Sequence, residues 1–408
     1  KDSQTAPLCP FPLLSELMEK INLLISDETL RDGEQQVGLF FDDKESLAHL
    51  IAQTGVHHIA LMPAIHPTEE QIVKSLVNHG LSHQVIASTM MKRTAIDQSK
   101  ACGVQQIILF NAVSDRLLFL RDSAVGNDPT LRNKTIDDDI PTHVIQTVRQ
   151  TMLDQALEHV QYAHAQGLRI CFAAEDASRA DFSFLVDCIN TLTPYIDEFL
   201  VCDTVGTLTP EKSFVWIHDL LEYTQPARLS VHFHNDLGMA VENTIQAIQA
   251  GATGVSGTFC GIGERAGNVP IEQVLRGLRV RFGCDVEGID YDAIDRIVDE
   301  FRRQRWQPHP PYSRQAQRQE SGIHVHSLLR DRHSYSIFPY GCSDIWFGKC
   351  SGISNFQYLF EHHLNQPLER SQYEELREAV KAIAIEQNRS FSADEVIDLI
   401  HTHQLLLQ

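Results

Sequence analysis

A (β/α)8 TIM barrel followed by a mainly helical C-terminal region is the fold that this sequence predicts. Eight short apolar runs recur with helix-length spacers between them. Eight such alternations over about 240 residues match the strand count of this barrel. Polar residues collect just after the ends of several runs, on the face where such barrels carry their chemistry. No G-x-G-x-x-G follows the first run, which disfavours the rival doubly wound open sheet.

The predicted strands are, in order, LLIS (23–26), HIALM (58–62), QVIAS (84–88), QIILF (106–110), RICFA (169–173), EFLVC (198–202), LSVHFH (229–234) and GVSGT (254–258). Between them lie helix-type patterns such as KESLAHLIAQTG (44–55) and ENTIQAIQAGA (242–252), several ending in Gly as a helix C-terminus does. The fourth connection, Asn111 to Leu157, is long and reads as a mobile insertion or lid, or equally as a surface loop. Three regions follow: an N-terminal extension over 1–21, the barrel over 22–285, and helical C-terminal subdomains over 286–408. The last contains YDAIDRIVDEFRRQRW (291–306), the hinge PHPPYS (308–313) and an amphipathic tail from Ser371 to Leu407.

Composition narrows the function classes. With 43% apolar and 22% charged residues, the chain reads as a soluble globular protein. No run approaches the length of a membrane span. The net charge of −20 repels nucleic acid and anionic lipid, and no long basic cluster offsets it. The nine Cys are scattered without a C-x-x-C pair, which points to reduced thiols and a cytoplasmic location. The first residues lack a secretory pattern, in keeping with that expectation.

The chemistry gathers at predicted strand ends. Asp27, Arg31 and Asp32 follow the first strand, Glu175 the fifth, and Asp203 and Thr204 the sixth. His232 and His234 end the seventh, and a glycine-rich loop from Cys260 follows the eighth. Alternation along a strand puts His232 and His234 on one face, ~7 Å apart. Two such imidazoles grip one divalent ion if a third ligand meets them, and Asp32 is a candidate. Imidazole and carboxylate ligands suit Mn, Zn, Co or Mg without choosing among them.

Each motif also has a plainer reading. H-x-H occurs three times, at 232/234, 324/326 and 401/403, and the last pair reads as the surface of a terminal helix. Arg31-Asp32 is either a surface turn or a pairing of oxyanion stabiliser and metal ligand. Glu175-Asp176 reads in isolation as a helix N-cap. GIGERAGN (261–268) is a phosphate-cradling loop or a flexible turn.

Taken together, SDETLRDGEQ (26–35), FAAEDASRAD (172–181), VCDTVGTLTP (201–210), HFHNDLG, GTFCGIGERAGN, ESGIHVHSLLRD (320–331) and FGKCSG (347–352) are distinctive. In this combination the chain resembles the DRE-TIM metallolyase superfamily. It looks most like the Claisen-condensing branch of isopropylmalate, homocitrate and citramalate synthases. The resemblance covers most of residues 22–360, and GERAGN and SGIH separate this branch from the lyases, carboxyltransferases and aldolases.

The resemblance implies that Asp32, His232 and His234 bind a divalent metal ion (Mn, Zn, Mg or Co), with Asn268 nearby. That ion would polarise the carbonyl of a 2-oxo acid as a Lewis acid. Arg31 would stabilise the enolate oxygen of an acyl-CoA, commonly acetyl-CoA. Glu175, His324 and Tyr335 would manage proton transfers. Thr204 would hold the oxo-acid carboxylate, and Gln35 would order the pocket. Relatives place the SGIH segment over a neighbouring subunit, so His324 is expected to act in trans within a homodimer. The products would be an alkylmalate- or homocitrate-type acid and free CoA. A regulatory domain beyond the helical tail is not expected.

The chain also departs from the pattern. IALMPA (59–64) has Ala60 and Met62 where relatives carry Glu and Gly, and ASTMMKR (87–93) lacks an Arg common there. This loss of polarity suggests a more apolar substrate pocket, whereas SGIHVHSLL pulls toward a dicarboxylic oxo acid. Two alternatives stand beside the synthase reading: a lyase or aldolase cleaving a related carbon–carbon bond, and a catalytically silent binding homologue.

Overall fold

Eight parallel strands close on themselves in the computed structural model, which describes residues 19–338, 343–403 and 405. Most of the predicted N-terminal extension, residues 1–18, lies outside the described residues. The barrel strands are β1 (Leu24–Asp27), β2 (His58–Leu61), β3 (Val85–Met90), β4 (Gln106–Ala112), β5 (Arg169–Glu175), β6 (Glu198–Asp203), β7 (Leu229–Phe233) and β8 (Gly254–Gly257). Each coincides within a few residues with a predicted apolar run. Neighbours in sequence pair in parallel, and β8 returns to β1 with Leu24 opposite Gly254 and Asp27 opposite Gly257.

Helices follow each strand: α1 (Lys44–Ala52), α2 (Pro67–Leu76), α3 (Arg93–Ala101), α4 (Thr142–Ala165), α5 (Phe182–Leu192), α6 (Pro210–Tyr223), α7 (Ala240–Ala250) and α8 (Ile271–Phe282). Local chemistry sets their ends. Asp43 and Asp181 cap α1 and α5 by accepting the backbone N–H of Ser46 (2.9 Å) and Phe184 (3.0 Å). Gly251 and Gly283 end α7 and α8 at φ 117° and 67°, where a side chain is strained.

Strand alternation divides the apolar residues into two layers. Ile59, Leu61, Val85, Ala87, Ile107 and Leu109 face outward and pack under the helices. Ala60, Ile86, Ile108, Cys171, Ala173, Leu200 and Cys202 face inward as a separate cluster that fills the barrel lumen.

The long fourth connection is not a structureless loop. It begins with helix Asp115–Arg121, continues through Ser123–Asn127, and enters α4 at Thr142. Leu117, Leu118, Phe119 and Leu120 are buried, which explains why this stretch is helical and anchored.

The C-terminal region is helical, as predicted: α9 (Tyr291–Gln304), α10 (Gly322–Leu328), α11 (Arg370–Gln387) and α12 (Ala393–His403) are its main elements. It builds its own core from Val325, Phe347, Phe356, Leu376, Val380 and Phe391. Helix α10 leans on the loop of FGKCSG so closely that a Cβ on Gly322 would lie 2.4 Å from Gly352 Cα. Gly322→Ala is therefore expected to cost about 1–3 kcal/mol of stability, the cost of overpacking a tight contact. Urea unfolding of the variant would check it, and an unchanged midpoint would contradict the close approach.

Candidate active site

The turn after β1 carries Asp32 into the mouth of the barrel, where it is 2% exposed. His232 sits on β7 and His234 just beyond it, and both are buried. Their Nε2 atoms lie 3.3 Å apart, and Asp32 Oδ2 is 3.3 Å from His232 Nε2 and 3.7 Å from His234 Nε2. The same-face geometry expected from strand alternation thus holds even though the strand ends at Phe233.

The electrostatics favour the ligand forms. Burial pushes the Asp32 carboxyl up, but the Arg31 guanidinium and the imidazoles outweigh it and hold it well below the usual carboxylate range. Burial, then the nearby Arg265 charge, push His234 well below its ordinary value, so it is neutral. His232 Nδ1 meets Ser256 Oγ at 3.0 Å, across the β7–β8 register that pairs the two residues. An N–H donated there leaves the Nε2 lone pair for a cation.

Three electron-pair donors therefore converge within 4.8 Å, and Asp32 Oδ2 has no hydrogen-bond partner. Such lone pairs repel one another unless a cation lies among them. The imidazole, imidazole and carboxylate set fits Mn, Zn, Co or Mg. Asn268 bridges backbone to His234, and its buried Oδ1 is likewise unpartnered.

The glycine-rich loop is neither a phosphate cradle nor a flexible turn. Every residue from Gly261 to Pro270 is buried. Arg265 pairs with Asp236 at 2.8 Å and donates to Thr204 O at 2.5 Å, which locks the loop to the ends of β6 and β7. A Cβ on Gly267 would lie 1.9 Å from Gly261 O, so only glycine fits that turn. The loop also presents Glu264, whose Oε1 is 2.9 Å from His324 Nδ1.

Glu175 ends β5 and does not cap a helix. Arg121, from the fourth connection, grips it bidentately at 2.6 and 3.0 Å. Tyr335 donates its hydroxyl to Glu175 and accepts a hydrogen bond from Arg121. Burial would raise the Glu175 carboxyl, but Arg121 and Tyr335 bring it down to about 2. The Tyr335 ring stacks on His324 at 3.7 Å between centroids, 19° from parallel. Burial, opposed by Arg121 and reinforced by Glu175, keeps the Tyr335 phenol protonated.

The remaining predicted residues also fall here. Arg31 donates to Glu28 at 2.7 Å and lies 3.5 Å from Asp32. Thr204 Oγ1 accepts from Asp176 N at 2.8 Å, leaving its own O–H to donate. Gln35 lines, with Arg31, Met62 and Phe40, a cavity of about 220 Å³ between the barrel and the C-terminal region. Asp27, Asp176 and Asp203 serve the scaffold instead. Burial raises Asp27 to about 8, with Thr29 hydrogen-bonded to it. Asp176 pairs with Arg179 at 2.7 Å. Asp203 accepts from Ser178, Thr207 and Leu208 N.

His324 was expected over a partner's barrel within a homodimer; in the single chain it lies at the mouth of its own barrel. Arg116 pairs with Asp331, and Arg330 donates to Leu120 O, so the fourth connection holds the segment there. His326 and the 401/403 pair are exposed.

Sequence reasoning missed Arg121, Ser256 and Glu264. Ser256 was findable by register opposite His232, and Glu264 lay inside a motif already singled out. Arg121 carries no signal, because a helix folded 54 residues before Glu175 delivers it.

With this geometry in place, the comparisons identify the class. The HMGL-like family model matches residues 22–125 and 141–299, and the chain belongs to that family. A homocitrate synthase from Methanothermobacter thermautotrophicus is 32% identical over 81% of this chain and 80% of its own. A 2-isopropylmalate synthase from Caldanaerobacter subterraneus subsp. tengcongensis is 29% identical over 77% of each chain. These relatives put the chain in the Claisen-condensing branch of the DRE-TIM metallolyases. The HMG-CoA lyase of Brucella melitensis shares the fold, with a TM-score of 0.54 at 17% identity over 70% of this chain and 99% of that one.

Two predictions follow from the ion-pair geometry. Ser256→Ala frees His232 Nδ1 and is expected to weaken divalent-metal affinity about 10–100-fold, while His234→Ala should abolish stoichiometric metal. Elemental analysis after dialysis reads both, and full retention in His234→Ala would remove the assigned site. Arg121→Gln leaves the buried Glu175 without its cation, so its pKa rises from about 2. A depressed carboxyl contributes stability that is complete above its ordinary 4.5 and is lost as pH falls toward 2. The variant should lose that contribution and unfold at higher pH than the parent in acid titration. Identical acid midpoints would contradict the coupling.

Proposed function

We propose that this chain is an acyltransferase that condenses an acyl-CoA, commonly acetyl-CoA, with a 2-oxo acid. The product is an alkylmalate- or homocitrate-type acid. The observation that carries the reading is the convergence of Asp32, His232 and His234 beside Arg31, within sight of a Glu175–Tyr335–His324 proton-handling group. The names of the synthase relatives support it.

A divalent ion held by Asp32, His232 and His234, with Asn268 nearby, supplies Lewis acidity to the oxo group when bound. The residues of the chain do the rest. Thr204 donates its hydroxyl to the oxo-acid carboxylate, and Gln35 orders the pocket beside Arg31. The Arg31 guanidinium, fixed by Glu28, stabilises the oxygen of the thioester enolate. A proton leaves the acyl methyl group to a base of the Glu175, His324 and Tyr335 set. The resulting carbon forms a bond to C2 of the oxo acid, whose oxygen takes up a proton. Water then cleaves the thioester, giving a carboxylate and free CoA thiol.

Glu264, 2.9 Å from His324 Nδ1, fixes the imidazole where it stacks on Tyr335. Within a homodimer that exchanges the 320–335 segment, the same contacts would form between subunits, with His324 acting in trans. Among the described residues, no helix is long and apolar enough to cross a membrane.

Thiol release from acetyl-CoA, followed with a chromogenic disulfide across a panel of oxo acids with Mn, Zn, Mg or Co, tests the proposal. Release is expected to require an oxo acid, and Glu175→Gln or His324→Asn should lower kcat by about 10²–10⁴. Carbon–carbon cleavage of a product-type acid without oxo-acid-dependent thiol release would favour a lyase instead. Metal binding with no chemistry at all would favour a silent homologue.

A further inference from the structure

The substituent on C3 of the oxo acid distinguishes one substrate from another, and the barrel lumen decides which substituent is tolerated. By alternation, the residues facing the middle and upper lumen from β2 to β6 include Ala60, Ile86, Ser88, Met90, Ile108, Phe110, Cys171, Ala173, Leu200 and Cys202. Seven of these form the inner apolar cluster, and Phe110 packs against it. The register brings the cluster up to the site: Ala173 lies two residues before Glu175, and Cys202 pairs with His232.

No cation stands on this floor, whose one further ionisable group, Glu198 at the start of β6, is itself a carboxyl. In β2 through β6 the only cationic or imidazole residues are His58 and Arg169, the first residues of β2 and β5, at the end of the barrel away from the site. The guanidiniums that do reach the site are each committed to a carboxylate of this chain. Arg31 holds Glu28 at 2.7 Å, Arg121 holds Glu175 at 2.6 Å, and Arg265 holds Asp236 at 2.8 Å. Ser88 offers one neutral hydroxyl, buried and without a hydrogen-bond partner. A second carboxylate placed here would be desolvated without a counter-charge, which is strongly unfavourable. An apolar group would instead gain burial against Phe110, Leu200 and Ile86. Ala60, Ala173, Cys171, Cys202 and Ser88 are small, so none of them sets a bulky side chain against a ligand seated above the floor.

Resting on the condensing reading of this site, we infer that the substrate is a monocarboxylic 2-oxo acid with a bulky apolar side chain, branched or aromatic. Ala173 and Met90 are its specificity-determining positions. This departs from the dicarboxylic oxo acid that the names of the homocitrate synthase relatives would suggest.

Two readouts on the full-length protein with Mn²⁺ separate the inference from the reading beneath it. Thermal shift with pyruvate, 2-oxoisovalerate, phenylpyruvate and 2-oxoglutarate reads the pocket alone, and thiol release from acetyl-CoA reads the reaction. A branched or aromatic oxo acid is expected to exceed 2-oxoglutarate in kcat/KM by about 10²-fold or more, and to shift the midpoint further. A preference for 2-oxoglutarate, or for pyruvate, in either readout overturns the inference and leaves the condensing reading standing. Apolar-selective binding without thiol release supports the pocket and removes the condensing reading. No oxo-acid-dependent shift and no thiol release overturn both.

Variants add an internal control. Ala173→Leu should lower kcat/KM for the bulky acid at least about tenfold more than for pyruvate, as expected when a pocket loses the volume of a few methylenes. Met90→Lys, at the half-buried rim, should raise the ratio of 2-oxoglutarate to apolar acid about tenfold. If Ala173→Leu fails to fold, Met90→Lys decides alone, and an unchanged ratio there counts against the assigned positions.

Discussion

Strands β1 and β8 pair in parallel from Leu24–Gly254 to Asp27–Gly257, and that closing register brings the Asp32 turn against the end of β7. The two glycines make the closure sterically possible. A Cβ on Gly254 would lie 2.0 Å from Ser230 Oγ, and one on Gly257 would lie 2.5 Å from Val269 O. Larger residues would force β8 away from its neighbours. His232 would then lose Ser256, and Asp32 would lose its approach to both imidazoles. Distances that define the candidate metal site are therefore consequences of backbone packing at the seam of the barrel.

A second constraint is charge compensation in a buried setting. The mouth of the barrel collects Glu28, Arg31, Asp32, Arg121, Glu175, Asp236, Glu264 and Arg265, all close to chemistry and mostly shielded from water. Burying any one of them alone would be very costly, and in pairs the cost falls to a level the fold can carry. Each guanidinium accordingly has an acid partner. Asp32 Oδ2, like Glu28 Oε1, is a buried carboxylate oxygen without a hydrogen-bond partner, and it faces two imidazole nitrogens. The same pairing logic explains the fold outside the barrel. Arg116 with Asp331 and Arg121 with Tyr335 tie the fourth connection to the C-terminal segment that carries His324.

The legibility of this protein in its sequence follows from how local each determinant is. Strands were readable because each is a short apolar run bounded by turn chemistry, and the inner and outer layers follow from a period of two. His232, His234, Asp32, Glu175 and Thr204 were readable because a barrel places strand ends on one face. Arg121 was not, since its helix was hidden in a connection whose pattern matched a loop, and its partner is distant in sequence. The rigidity of GIGERAGN was equally hidden. Glycine density suggests freedom, whereas the backbone there uses glycine for close approach, with Arg265 bolted to Asp236. Whether His324 completes its own barrel or a partner's depends on the path of the linker, which no local pattern encodes.

Chemistry and selectivity occupy different layers of this barrel, and that separation has a physical basis. Groups that move protons and stabilise charge are interlocked: altering Glu175 disturbs Arg121, Tyr335 and, through stacking, His324. Such a network tolerates little change, because a half-satisfied set of buried charges is worse than none. The lumen floor beneath it is different. Ala60, Ala173, Cys171 and Cys202 make no ion pairs, so exchanging them alters volume and polarity without breaking a charge pair. A barrel built this way can keep one reaction while the substrate side chain it accepts changes. The departures at Ala60 and Met62 lie where that freedom exists, one in the floor and the other in the cavity beside Arg31. Glu175 and His324 above them lie in the segments that match the family's motifs. The substrate of a member of this family is thus better read from the floor of its barrel than from its overall identity to named relatives.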